Sequence, residues 1–250
     1  MMKKFFIFFG CLFCFCVAFA ARQKSYQDED FKDVDEYALN APIIEDKSDV
    51  DKLITYLTKP YKDDIKKARA LFAWLVYNID YDDYEARFND LIVDKGLKFD
   101  YQGDILETRT GVCRDIASLY HDLAEKAKLK TQVVAGIGGR NITKKTAKYS
   151  QHVWLVIDID GEWEYLDPTW AIQGQPVFRE ITSDRQYRRE MKRRLKDKDR
   201  LQPRKDRKIE NTYFLADKEE FSKTHFPDDE KWQLQRKTIS YTKFLSENQK

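Results

Sequence analysis

Apolar residues recur at helical spacing in three places along this chain. Val50, Leu53, Ile54 and Leu57 fall three and four residues apart, and Lys59-Pro60 closes the run. Ile65, Ala68, Leu71, Phe72, Leu75 and Val76 form one face of a second helix, with residues 78–83 as its exit. Ile116, Leu119, Tyr120 and Leu123 repeat in the same way after a polar, Gly-containing approach at 108–111. The period then changes. Residues 131–139 read as a strand running into a Gly-rich loop. Residues 151–158 and 162–167 read as two strands around Asp160-Gly161, a strong hairpin signal. Helices followed by strands predict an α+β fold, with the third helix packed on an antiparallel sheet.

The flanks break the pattern. Lys3-Lys4, the apolar run 5–17 and Ala18-Phe19-Ala20 have the layout of an export signal over 1–20, with the mature chain starting near Ala21. A lipoprotein reading at Gly10-Cys11 is disfavoured, because the residues after it stay apolar. The apolar run is shorter than the roughly 20 residues that span a bilayer. Export implies a periplasmic or secreted location, and no other stretch suits a membrane crossing. Residues 21–48 are polar and acidic and read as a loosely packed lead-in to a core at 49–175. Residues 176–210 read as a basic insertion and 211–250 as a C-terminal segment packed on the core.

Net charge over the 250 residues is +2, which gives no global case for a nucleic-acid binder. Residues 179–208 are unlike the rest. They hold fourteen Lys and Arg against six Asp and Glu, an excess of eight positive charges. The interspersed acids favour a solvated, charge-laced helix or insert, and an anionic partner for 179–208 is the alternative. Tyr187 is the only aromatic residue in that stretch, too sparse a pattern for single-stranded nucleic acid.

Cysteine use narrows the chemistry. Cys11, Cys14 and Cys16 all lie in the export segment, so the mature chain keeps Cys113 alone. One thiol makes no internal disulfide, and one thiol with three histidines is a poor structural zinc set. The residue types call for no metal and no organic cofactor. Cys113 stands at the predicted N-terminus of the third helix, where unpaired amides favour a thiolate. If Asp160 and Gly161 are the central turn residues, Asp167 faces Trp154. His152 then lies diagonally opposite on the same sheet face, within about 7–8 Å by backbone spacing. A one-residue slip would put the two on opposite faces. Cys113, His152 and Asp167 are therefore the candidate nucleophile, base and orienting carboxylate. His121 is a rival base, disfavoured because it stands about 12 Å along the same helix. His225 is a rival that spacing does not exclude. Each residue also has a plainer reading: free cysteines are commonly buried and inert, and an Asp before Pro is commonly a turn residue.

Several segments carry a family resemblance. They are Ala68-Arg-Ala-Leu-Phe-Ala-Trp-Leu-Val-Tyr-Asn-Ile-Asp-Tyr-Asp82, Thr110-Gly-Val-Cys113, Gln151-His-Val-Trp154 and Trp163-Glu-Tyr-Leu-Asp-Pro-Thr-Trp170. Together they resemble the transglutaminase-like superfamily of cysteine acyl-transfer enzymes. Tyr213-Phe-Leu-Ala-Asp217 and His225-Phe-Pro-Asp-Asp-Glu-Lys-Trp-Gln-Leu234 are similar to the segment that follows the catalytic core in the kyphoscoliosis-peptidase branch. The resemblance implies a papain-like core and carries nucleophile, base and carboxylate onto Cys113, His152 and Asp167. His152-Val153 replaces the common His-Ala, and Ala171 stands where Gly is frequent after Trp170. The oxyanion donor stays open between the Cys113 amide and an aromatic such as Trp74 or Tyr77.

The expectation is an exported cysteine-dependent enzyme acting on a protein, peptide or cell-envelope amide. Hydrolysis is favoured over transfer to an amine. A non-enzymatic protein-binding module on the same fold is the alternative.

Overall fold

The computed structural model describes residues 26–88, 104–172 and 177–248. The expected export signal lies outside the described residues. Among those described, no helix is long and apolar enough to cross a membrane.

Three helices open the fold: α1 (Lys32–Leu39), α2 (Val50–Thr58) and α3 (Asp64–Asn78). The expected loose lead-in is corrected here. Phe31, Val34 and Ala38 fall three and four apart and are buried with Tyr26 and Ile44. Asp35 makes two 2.7 Å bonds to the buried guanidinium of Arg69 on α3. An acidic composition conceals this apolar stripe, because Asp33 and Glu36 between its members face solvent while Asp35 turns in to Arg69.

Asp63 accepts a bond from the Lys66 amide and caps α3. Ten of the fifteen α3 residues are buried, from Ala68 to Tyr77, which makes it the central helix. Its exit, Asp80–Tyr81, pairs in parallel with Thr110–Gly111, the two-residue segment just before Cys113. This bridge ties the end of α3 to the start of α4 (Cys113–Lys126). The Val112 amide donates to Asp115 Oδ2 at 3.1 Å, and Ile116, Leu119, Tyr120 and Leu123 face the core as their spacing requires.

The sheet has five antiparallel strands: β1 (Thr131–Gly138), β2 (Gln151–Ile159), β3 (Glu162–Leu166), β4 (Phe214–Ala216) and β5 (His225–Pro227). Their spatial order is β4-β3-β2-β1-β5. Leu155 pairs with Leu166 and Ile159 with Glu162, so Asp160 and Gly161 are the central residues of the turn. Both have positive φ, at 54° and 89°, as a two-residue hairpin of this hand requires. Alternate residues then divide between two clusters. Leu155, Ile157, Ile159 and Leu166 join the helices, while Trp154, Val156 and Tyr165 pack with Val134, Ala216 and Phe221. The fold is α+β, with the helix that begins at Cys113 packed on an antiparallel sheet.

Residues 177–210 depart from the expected solvated insert. Helix α5 (Asp184–Lys196) buries Tyr187 and Met191, which cluster with Tyr84 and Phe178. Arg194, Arg204 and Arg207 converge on the buried Asp80 carboxylate at 2.6, 2.6 and 2.5 Å. Arg207 also donates to the carbonyls of Val76 and Ile79, both at 2.6 Å, and so satisfies the end of α3. Arg200 donates to the Glu107 carbonyl at 2.7 Å. Four of the fourteen basic residues thus act as internal struts, which composition does not distinguish from solvated charges.

Candidate active site

The first turn of α4 meets the N-terminal end of β2. Cys113, half-buried and reduced, is the first residue of that helix, and its thiol is in hydrogen-bonding reach of the His152 ring. His152 Nε2 is 2.8 Å from Asp167 Oδ2, so Nδ1 is the ring nitrogen that the carboxylate does not engage. The structure brings all three sequence candidates together. The hairpin register does this: Leu166 pairs with Leu155, and the next residue, Asp167, reaches the face of Trp154 and His152.

Each member of the group is held from several sides. Asp167 caps the short turn Pro168–Ala171 by accepting the Trp170 amide on Oδ1 at 3.1 Å, and its own amide donates to the Tyr213 carbonyl. The Trp170 ring covers His152 at 5.4 Å between centroids, with an interplanar angle of 29°. On β1, Gly136 lies directly opposite His152. A Cβ on Gly138 would come within 2.7–2.9 Å of His152 Cδ2, Cβ and Cγ, so the ring occupies space that only glycine leaves free.

The electrostatics follow from this packing. Burial alone would disfavour a charged His152, but the Asp167 carboxylate outweighs it, with a smaller contribution from Cys113. The ring is raised to about 10. Burial likewise works against the Asp167 anion, yet His152 and then His225 hold it far below the usual carboxylate range. The favoured charge state of this pair is a His152 imidazolium held against the Asp167 carboxylate.

The rivals are separated by geometry. His121 Nδ1 bonds Thr131 Oγ1 at 2.7 Å, beside the start of β1, away from the thiol. His225 lies within the group: its Nε2 is 3.1 Å from the same Asp167 oxygen that His152 uses. Sequence reasoning left its place open because β5 is three residues long and reaches the sheet edge from the far end of the chain. Trp74, a suggested oxyanion donor, packs against the Arg109 guanidinium at 5.3 Å. His152, Asp167 and His225 offer ligand atoms within 4.8 Å of one another, the one such group among the described residues. Their nitrogen–oxygen separations of 2.8 and 3.1 Å are those of N–H···O bonds.

Residues 51–168, which include all three candidates, match the model of the transglutaminase-like superfamily. The chain is 25% identical over 219 residues to the kyphoscoliosis peptidase of Homo sapiens, covering 86% of this chain and 28% of that protein. It is 22% identical over 222 residues to the Lim and transglutaminase domain protein ltd-1 of Caenorhabditis elegans, covering 86% and 27%. It therefore spans just over a quarter of the length of these curated relatives. The periplasmic domain of TgpA from Pseudomonas aeruginosa shares 18% identity, covering 58% of this chain and 49% of that one, with a TM-score of 0.38. Over residues 51–168 the chain is similar to the transglutaminase-like superfamily, and over most of its length it is similar to the kyphoscoliosis peptidases.

Proposed function

We propose that this chain is a cysteine-dependent acyl-transfer enzyme acting on peptide or amide bonds of a protein, peptide or cell-envelope substrate. The observation that carries the reading is the placement of one imidazole between Cys113 and Asp167. The thiolate of Cys113 attacks the amide carbonyl carbon, and the carbonyl electron pair moves to oxygen. The free amides at the start of α4, Cys113's own among them, are the donors available to that oxyanion. The His152 imidazolium gives its proton to the departing amine as the C–N bond breaks, leaving a thioester. The now neutral ring takes a proton from water, whose oxygen attacks the thioester carbonyl carbon, and the C–S bond breaks to release the acid and return the thiolate beside the imidazolium. Asp167 keeps the ring in one orientation throughout.

Water is the favoured acyl acceptor. It is present at about 55 M, so an amine wins only by bound orientation. One observation favours transfer instead. A cavity of about 430 Å³ adjoins α4, and its lining sets Asp82, Glu85, Asp104, Asp115 and Asp122 against Lys47 and Lys126, an acidic excess that would attract a cationic amine. Incubating a peptide amide with a labelled primary amine decides the matter. Free acid as the main product is expected. Stoichiometric amine incorporation would reverse the choice of acceptor. Product formation that survives Cys113→Ala would refute the cysteine mechanism, and a Cys113 that alkylates no faster than a free thiol would favour a binding module.

Export is proposed on the same terms, from the layout of residues 1–20. Edman sequencing of the exported protein should begin near Ala21, and an intact Met1 form confined to the cytoplasm would overturn it. An anionic partner of the basic segment would meet Arg185, Arg189, Lys192 and Lys196, which are exposed.

A further inference from the structure

We infer that His225 is a positioning residue: a neutral imidazole whose Nε2–H donates to Asp167 Oδ2 and so sets how strongly that oxygen holds the proton of His152. The inference rests on the acyl-transfer reading above.

One carboxylate oxygen receives two rings, His152 Nε2 at 2.8 Å and His225 Nε2 at 3.1 Å. An ionised carboxylate only accepts, so both nitrogens must carry hydrogen. The other nitrogen of His225 fixes its charge. Nδ1 is 2.9 Å from Thr224 Oγ1, a hydroxyl able to donate to a bare nitrogen. The Phe221 carbonyl, 3.3 Å from Nδ1, is the acceptor a charged ring would need. A second cation there is opposed by burial above all, and also by His152, with ring centroids 5.4 Å apart. Asp167 and His152 are the charged or titratable groups that face the ring. Its other neighbours are aromatic: Phe221 stacked at 3.8 Å and 12°, Trp154 at 5.2 Å and Trp170 at 4.4 Å. The neutral Nε2–H tautomer satisfies both nitrogens at once.

The sheet holds the ring there. His225 pairs with Gly138, the residue whose missing side chain leaves room for His152. A single edge contact thus seats both imidazoles around one carboxylate. The chemical consequence concerns proton transfer. An oxygen shared between two N–H donors is a weaker partner for each. His152 can then release its proton to the leaving amine, whereas an unshared carboxylate would hold the imidazolium back.

Two substitutions separate donation from packing. His225→Phe keeps a flat ring stacked on Phe221 but removes both nitrogens, while His225→Gln restores an N–H donor. The pH dependence of Cys113 alkylation by iodoacetamide reports the thiolate–imidazolium pair without any substrate. In His225→Phe the upper limb, where His152 gives up its proton beside the sulfur, should move about half a pH unit higher, because His152 is held more tightly. Turnover on an amide should fall with KM unchanged. His225→Gln should bring the limb back toward the parent value. An upper limb that stays in place or moves to lower pH in folded His225→Phe overturns the inference. Nitrogen-15 spectra of the unmodified protein give a second test, which does not depend on any variant folding. His225 should show a neutral Nε2–H ring throughout about pH 5 to 8, and a cation or an Nδ1–H tautomer would refute the assignment. Alkylation of wild-type Cys113 at a free-thiol rate would sink the acyl-transfer reading, while the nitrogen spectrum would still decide the state of His225.

Discussion

Replacing Asp80 by Asn is expected to cost about 3–5 kcal/mol of folding stability, the range for removing one partner from a buried charge cluster. Asp80 is 5% exposed, and the Arg194 and Arg207 side chains are 12% and 7% exposed. An amide at this position leaves two nearly buried guanidiniums, and the more open one of Arg204, without a counter-charge. Their attachments to the carbonyls of Thr108, Arg109, Val76 and Ile79 would then have to hold like charges together. Burial opposes the Asp80 anion, but the guanidiniums of Arg204, Arg194 and Arg207 more than offset it and hold the group at about 2. A folded value below the unfolded one contributes stability that is fully present above the unfolded value of about 4. That stability is lost as pH falls through about 2. Urea unfolding of the parent and of Asp80→Asn at neutral pH measures the difference. A change within about 0.5 kcal/mol, the level of an ordinary surface substitution, would show that the arginines are solvated after all. Removal of 179–208 should be destabilising for the same reason.

Asp167→Asn should reduce turnover by about four orders of magnitude, as expected when the carboxylate of such a triad becomes an amide. The arithmetic of donors explains the size. Asp167 accepts from three N–H groups: the rings of His152 and His225 and the amide of Trp170. An Asn side chain has one accepting atom and one donating atom, so at least one of the three faces another donor. If the amide nitrogen turns to the rings, His152 must shift its hydrogen to Nδ1 and can no longer accept from the thiol. Without the carboxylate, burial dominates the ring and drives its proton affinity below that of an exposed histidine. Cys113 should then alkylate like an ordinary thiol, without the reactivity that an imidazolium partner confers. Parallel thermal unfolding separates this loss from a loss of fold. An unchanged alkylation profile in folded Asp167→Asn would remove Asp167 from the mechanism.

The helical core and the hairpin were legible because their information is local. Four-residue and two-residue periods mark which side faces inward, and Asp160-Gly161 fixes the register that brings Asp167 to His152. The acidic lead-in is harder to read, since Phe31, Val34 and Ala38 are diluted by charges, and nothing nearby in the chain shows that one of them, Asp35, turns in to Arg69. The basic segment was misread for a different reason. Nothing near Arg194, Arg204 or Arg207 in the chain announces that their shared acid is Asp80. Strands of three residues carry almost no periodicity, so β5 and the place of His225 beside Asp167 emerge only in three dimensions.

The bridge between Asp80–Tyr81 and Thr110–Gly111 has a further consequence, in the order of folding. It sets the start of the helix that carries Cys113, and its clamp joins residues 114, 124 and 127 positions apart in the chain. Closing such loops is slow compared with forming a local hairpin. The His152–Asp167 hairpin is therefore expected to form before the Cys113 end is anchored. During synthesis the clamp on the Cys113 end can close only after the arginine segment has emerged.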